Sequence, residues 1–288
     1  MQTFENTTAF ITGAASGIGL ALTQALTARG ANVMMADINR LTLEPAAEQV
    51  RAASQASGGG NVQTCLCDVI KPGDVSAAMA ATQDAFGNIH MVFNNAGVGL
   101  AGKPGNIPLQ DWQWITDINL MGVVYGVESF VPHMLAHGEP SRIVNTASMA
   151  GHMTMGGMAP YHATKFAVVG YSESLAQELA KTNIGVSLLC PTWVKSNIYN
   201  GAAGRPTAQN KSAPAGAPDE AAAALYNMTK GLVDNGMSAQ TYAELVLKSI
   251  QADRFYVFND PDARAAIDMR RAAILKDYDA CLADLVGM

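Results

Sequence analysis

The chain has 288 residues, of which 49% are hydrophobic and only 15% charged, with a net charge of −6. That size and apolar content fit one large α/β domain, or at most two small ones, with ample core, and the expectation taken is a single domain over residues 1–288. No basic cluster gives a nucleic acid an electrostatic footing, and no apolar stretch approaches membrane-spanning length. The opening Met1-Gln2-Thr3-Phe4-Glu5-Asn6 carries no signal-like pattern, so the expectation is a cytoplasmic protein binding neither nucleic acid nor membrane.

Short β-rich runs alternate with longer helical patterns. This predicts a Rossmann-type doubly wound parallel sheet of about seven strands, with helices on both faces. Thr7–Thr12 reads as the first strand, and a helix follows from Gly17 to about Arg29. Between them lies Thr12-Gly13-Ala14-Ala15-Ser16-Gly17-Ile18-Gly19. Glycines there let the backbone turn sharply and approach a pyrophosphate, while the helix N-terminus offers free N–H groups. The second strand, Asn32–Ala36, ends at Asp37, 24 residues after Gly13. A carboxylate at that point accepts hydrogen bonds from both ribose hydroxyls of an adenosine and repels a 2′-phosphate, which argues for NAD over NADP. Arg40 stands nearby as a guanidinium that could partner a phosphate, whereas Ile38 offers no donor.

A helix runs on to about Ser57, and the third strand, Val62–Cys67, ends at Asp68-Val69. After a helix over Gly73–Phe86, the fourth strand, Ile89–Phe93, ends at Asn94-Asn95-Ala96-Gly97. In a parallel sheet these ends share one edge. Asp68 can there bond an adenine amino group, and the small Ala96-Gly97 pair admits a ribose. A long helix over Gln110–Leu135 and a fifth strand over Arg142–Thr146 come next. The helix over Tyr161–Lys181 carries Tyr161 and Lys165, with Ser148 located 13 positions before Tyr161. Positions i and i+4 lie one turn apart on one helix face. A phenol of pKa about 10 is a poor base near pH 7, and an adjacent ammonium favours its phenolate.

After a sixth strand, Ile184–Leu189, and Pro191, the pattern weakens over about 197–240, with one helical patch around Ala221–Lys230. A stretch of that kind beyond a parallel strand's C-terminal end reads as a substrate lid. A helix (Gln240–Gln251), a last strand (Arg254–Phe258) and a helical tail (Asp262–Leu285) complete the chain. The four cysteines, Cys65, Cys67, Cys190 and Cys281, match no zinc or redox spacing and read as buried free thiols. The histidines show no metal-ligand spacing, so no metal site is expected.

Together these residues resemble the short-chain dehydrogenase/reductase family in its compact single-domain form, from about Thr7 to Ile198. The resemblance rests on Thr12–Gly19, Asp68, the Asn94–Gly97 run, Asn119, Ser148, Tyr161, Lys165 and the turn at Pro191. It implies that Tyr161 is the general acid/base and that Lys165 lowers its pKa and holds the nicotinamide ribose. Ser148 then bonds the substrate oxygen, and Asn119 anchors a water between Lys165 and solvent. Gly13, Ser16, Gly17, Ile18, Gly19, Asp37, Asp68, Val69, Asn95, Ala96 and Gly97 would contact the cofactor, with Pro191, Val194 and Ser196 beside the carboxamide. Where the family usually has Pro-Gly, this chain has Pro191-Thr192. The long helix and the helix of Tyr161 commonly pair across a two-fold axis in the family, which implies a homodimer or homotetramer.

Three segments, Phe130-Val131-Pro132-His133-Met134, Lys195-Ser196-Asn197-Ile198 and the C-terminal tail, also resemble bacterial NAD-dependent dehydrogenases of benzylic alcohols in lignin-derived aryl ethers. The expected activity is NAD-dependent interconversion of a secondary alcohol and a ketone on a bulky apolar or aromatic substrate. Its rivals are an NADPH-dependent ketoreductase of carrier-bound or free ketones and a non-catalytic nucleotide sensor.

Overall fold

The computed structural model describes residues 3–198 and 220–286. Seven parallel strands form one sheet in the order β3-β2-β1-β4-β5-β6-β7. They are β1 Thr8–Thr12, β2 Asn32–Asp37, β3 Val62–Leu66, β4 Met91–Asn94, β5 Ser141–Thr146, β6 Ile184–Cys190 and β7 Tyr256–Phe258. The first helices are α1 Gly17–Thr27, α2 Arg40–Ser57 and α3 Pro72–Phe86. Then come α4 Leu109–Thr116, α5 Gly122–His137, α6 Ala159–Glu178, α7 Glu220–Asp234, α8 Ala239–Gln251 and α9 Ala263–Val286. Among the described residues no helix is long and apolar enough to cross a membrane.

Strands covered on both faces need apolar residues at every position, not alternate ones. In β1 every residue is buried, and Phe10 and Ile11 enter different cores on opposite faces. Ile11 joins Leu22, Leu43 and Val246 from α1, α2 and α8. Phe10 joins Val127 and Phe130 of α5, its ring 4.6 Å from that of Phe130. The order reverses beside β1, whose neighbours β2 and β4 lead outward in opposite directions, and this opens a crevice at the strands' C-terminal ends.

The helix expected over Gln110–Leu135 is not one continuous α-helix. A π-turn at Asp117–Met121 joins α4 to α5 and places Asn119 within it. There the Asn119 side chain bonds the Val98 backbone, and local widening of this sort marks a helix adapted to a particular contact. The fourth strand starts at Met91 instead of Ile89, because the Ile89 N–H donates to His133 on α5. The seventh starts at Tyr256 instead of Arg254, whose N–H closes the end of α8 on the Ser249 carbonyl. The helical patch extends over Glu220–Asp234. Of the cysteines, Cys67 and Cys190 are buried and Cys65 half-buried, but Cys281 is exposed because α9 leaves the body of the protein. Of the expected lid, 199–219 lie outside the described residues. Its described ends are fastened where Lys195 N–H donates to the Met237 carbonyl and Met237 N–H to that of Trp193 (both 2.9 Å).

A buried polar chain sets α6 against the sheet. Asn94 on β4 donates to Asn145 on β5 (2.9 Å), and Asn145 donates to Ser172 on α6 (3.0 Å). Asn145→Ala would leave the Asn94 amide and the Ser172 hydroxyl without these partners. The expected cost is about 2–6 kcal/mol, since each of the two buried unsatisfied groups costs about 1–3 kcal/mol. Urea unfolding should show a lowered midpoint, and an unchanged midpoint would mean that these groups find new partners.

Candidate active site

A cavity of about 620 Å³ opens at the C-terminal edge of the sheet. One end is the turn after β1. Gly13 and Gly17 adopt φ of +64° and +53°, a region that favours glycine. A Cβ on Gly13 would lie 3.0 Å from Ala96 Cα, so the turn packs directly on the end of β4. Ser16 provides no side-chain cap to α1, which leaves its first N–H groups for an anion. Gly19 does not line the cavity. Its own Cβ would fall 2.4 Å from the Gly13 carbonyl oxygen, so it lets α1 pack under the turn.

Asp37 lines the same end, with its carboxylate aimed by two backbone donors, Ala15 N–H (3.2 Å) and Asn39 N–H (3.0 Å). Ile38, Asn39 and Thr42 border it, while Arg40 is exposed and lies outside the lining. Asp68 and Val69 also line the cavity. The Asp68 carboxylate pairs with Lys71 at 3.2 Å, and Val69 packs against Gly122. Asn95, Ala96 and Gly97 form the floor, held to β1 by the Thr12 hydroxyl, which accepts from Asn95 and Ala96 N–H (both 3.0 Å).

Ser148, Tyr161 and Lys165 all line the cavity, and all are buried. Ser148 follows β5. Its hydroxyl accepts from Ala150 N–H (3.1 Å) and donates to the Pro191 carbonyl (3.3 Å), which ties it to the end of β6. Tyr161 and Lys165 stand one turn apart on α6, and the Lys165 amine lies 5.7 Å from the centre of the Tyr161 ring. Lys165 as a residue is 3% exposed, and its amine donates to the Thr146 carbonyl at 2.9 Å. Burial pulls its pKa from an ordinary 10.5 down to about 8. Asn119 does not line the cavity. Buried behind Gly97, it accepts from Val98 N–H (2.9 Å) and donates to the Val98 carbonyl (3.0 Å) and to Thr164 (3.2 Å).

Pro191, Thr192, Val194 and Ser196 close the side beyond β6. Asn259 holds the Thr192 N–H (2.9 Å), and a Cβ on Gly17 would touch Ser196 Cβ at 3.0 Å. The segment after β6 therefore rests on the glycine turn.

At the far end, the sequence leads one to expect Trp193, Tyr199, Tyr226 and several methionines to suit a large apolar ligand. Met149, Met153, Met155 and Met158 line this end, with Trp193, Ile198 and Val233. His162 fixes this loop. Its Nε2 accepts from Met155 N–H (3.1 Å), so Nδ1 carries the hydrogen and donates to the Ala150 carbonyl (2.9 Å). The available signal was the run of methionines between Ser148 and Tyr161. Tyr199 lies outside the described residues, as does the side chain of Tyr226. Among the described residues no group of His, Cys, Asp or Glu is arranged to hold a metal ion.

Residues 7–204 match the family model described as short chain dehydrogenase. The chain is 32% identical over 279 residues to a "CLA biosynthesis dehydrogenase/reductase" of Lactiplantibacillus plantarum, covering 96% of each protein. It is 29% identical to a "C alpha-dehydrogenase" of Sphingobium sp. strain SYK-6, covering 96% of this chain and 87% of that one. A solved short chain dehydrogenase/reductase from Burkholderia phymatum, in complex with NAD, superposes with a TM-score of 0.90 at 35% identity. That match covers 96% of this chain and 97% of the other.

Lys165 makes stability depend on pH. The unfolded chain keeps this proton up to about pH 10.5 and the folded one only to about pH 8, so folding releases it in between. Stability therefore rises across that window, by about 3 kcal/mol in full. Without cofactor, the wild-type gain in unfolding free energy from pH 7 to pH 10 should exceed that of Lys165→Met. Equal gains in urea titrations would show that this amine titrates as in water.

Proposed function

Because the chain belongs to the short-chain dehydrogenase/reductase family, an oxidoreductase family acting on CH–OH donors, we propose that it interconverts a secondary alcohol and a ketone with NAD. The observation that carries this reading is that Ser148, Tyr161 and Lys165 share one cavity with the glycine turn and Asp37.

The cavity suits a dinucleotide. The turn at Gly13 and Gly17 admits a pyrophosphate close to the backbone, and the free N–H groups of α1 balance its charge. The carboxylate of Asp37, fixed by two N–H groups, would accept from both adenosine ribose hydroxyls and repel a 2′-phosphate. Arg40 is exposed and stands outside the lining, whereas Asp37 faces the cavity. Lys165 would hold the second ribose, with Pro191, Val194 and Ser196 along the carboxamide. Bound in this way, NAD supplies the acceptor or donor of hydride.

The remaining chemistry belongs to the side chains. Ser148 holds the substrate oxygen and keeps it beside the Tyr161 phenol. Tyr161 takes the hydroxyl proton during oxidation and returns it during reduction. The buried ammonium of Lys165 favours negative charge on the phenolic oxygen and hands protons onward. Asn119 acts from behind by fixing Val98 and Gly97, which keeps the floor under the reacting atoms in place.

A bulky apolar or aromatic secondary alcohol, such as a benzylic one, fits the far end, where the methionines and Trp193 give a wide apolar wall. The C alpha-dehydrogenase relative is consistent with such a substrate. We further read the chain as a single cytoplasmic domain whose two-fold assembly involves α5 and α6.

Tyr161→Phe should keep its affinity for NAD and lose turnover by about 10²–10⁴-fold, the usual contribution of a positioned acid/base. Cofactor fluorescence and absorbance of reduced cofactor over a panel of aryl secondary alcohols give the two readings. Turnover at the wild-type rate would refute Tyr161 as the base. In the same titration NADH should bind more tightly than NADPH, and Asp37→Ser should narrow that gap.

A further inference from the structure

The last helix stands away from the body of the protein. Every residue of α9 from Asp268 to Val286 is exposed, and the inner end touches the body where Arg270 lies over the Phe166 ring at 4.9 Å. The part beyond Arg271 would extend about 22 Å at 1.5 Å per residue. A single helix of that length is marginal in water without a packing partner.

Its outer half has an apolar face. Ile274, Leu275, Tyr278, Leu282, Leu285 and Val286 fall within an arc of about 120° at 100° per residue. Tyr278 is 60% exposed, Leu285 65% and Val286 90%. Lys276, Asp277, Asp279 and Asp284 occupy the rest of the circumference. Solvated helices do not normally present such a stripe to water.

The charges identify the partner. Residues 263–276 contain Arg264, Arg270, Arg271 and Lys276 against Asp268 alone, and 277–286 contain Asp277, Asp279 and Asp284 with no cation. This order opposes the helix's own dipole, which favours acids at the N-terminus and bases at the C-terminus. An antiparallel copy of the same helix corrects both ends at once, because each basic half then lies along an acidic one.

We propose that α9 is a self-association helix that pairs antiparallel with α9 of a second copy of this chain. The two-fold axis falls near Lys276. Ile274 then meets the partner's Tyr278, Ile267 meets the partner's Leu285, and Arg271 faces the partner's Cys281. The pair is self-complementary, as a closed two-fold interface requires.

Light scattering on the full-length protein tests the surface. Tyr278→Glu/Leu282→Glu/Leu285→Glu should halve the assembled mass, and so should Asp277→Lys/Asp279→Lys/Asp284→Lys. An unchanged mass in both variants, or a wild type monomeric at 100 µM, would overturn the proposal. Orientation is read by disulfide trapping. Arg271→Cys should form a covalent dimer with the native Cys281 under mild oxidation, and Arg271→Cys/Cys281→Ala should not. A wild-type dimer cross-linked through Cys281 alone would mean a parallel pair and equally overturn it. The variants lie outside the cavity, so near-wild-type NADH fluorescence certifies that each one has folded.

Discussion

Lys165 is 3% exposed, and its amine bonds the Thr146 carbonyl, with the Tyr161 ring beside it and Gly97 in front. Taking a charged amine out of water is expensive, and here the cost appears as the fall of its pKa to about 8. The surroundings must therefore be tightly specified. A Cβ on Gly97 would lie 3.6 Å from this amine and 3.3 Å from Asn119 Oδ1, so bulk at 97 would crowd both. Thr164, next to Lys165, pairs with Asn119, and Ser172 further along α6 pairs with Asn145. Bonds at two places along α6 hold the amine and the phenol against the sheet.

The sheet converts distant sequence positions into neighbours. The turns after β1, β2, β4, β5 and β6 all emerge on one edge because the strands run parallel. Cross-links between those turns then make a continuous wall: Thr12 to Asn95 and Ala96, Ala15 to Asp37, Ser148 to Pro191, and Gly17 against Ser196. Three of these four links join a side-chain oxygen to a backbone group, so one partner in each is fixed by the chain path itself. Preorganisation of that kind favours a reaction whose geometry must be met within a fraction of an ångström.

Much of this was legible in the sequence, for a physical reason. Turns that need positive φ or close backbone approach accept few residues, so Gly13, Gly17 and Gly97 stand out by type and spacing. Tyr161 and Lys165 show themselves by helical periodicity, and Asp37 by its place at a strand end. The π-turn at Asn119 was not visible, because a widened turn has no composition of its own and depends on the Val98 backbone that Asn119 bonds. Gly19 also packs α1 against Gly13, a role that spacing alone does not reveal, since it does not say which side of a turn a glycine faces. Cys281 was read as buried because cysteine usually is. It sits instead on a helix whose outer face nothing among the described residues covers.

The two ends of the cavity are made from different materials, and this determines what can vary. The end at the glycine turn is built from backbone atoms, glycines and one fixed carboxylate, which are rigid and indifferent to most side chains. The far end is built from unbranched thioethers on a loop whose anchor is one imidazole, His162, bonded at both nitrogens. Methionine has three rotatable bonds and fills irregular space without demanding one shape. A wall of four such residues can follow a range of bulky apolar outlines. On the proposed function, Ser148 and Tyr161, set by β5 and α6, would keep the reacting oxygen in place, so specificity for shape and fidelity of chemistry would reside in separate parts of the fold, and substitutions at Met153, Met155 or Met158 would retune the first without touching the second.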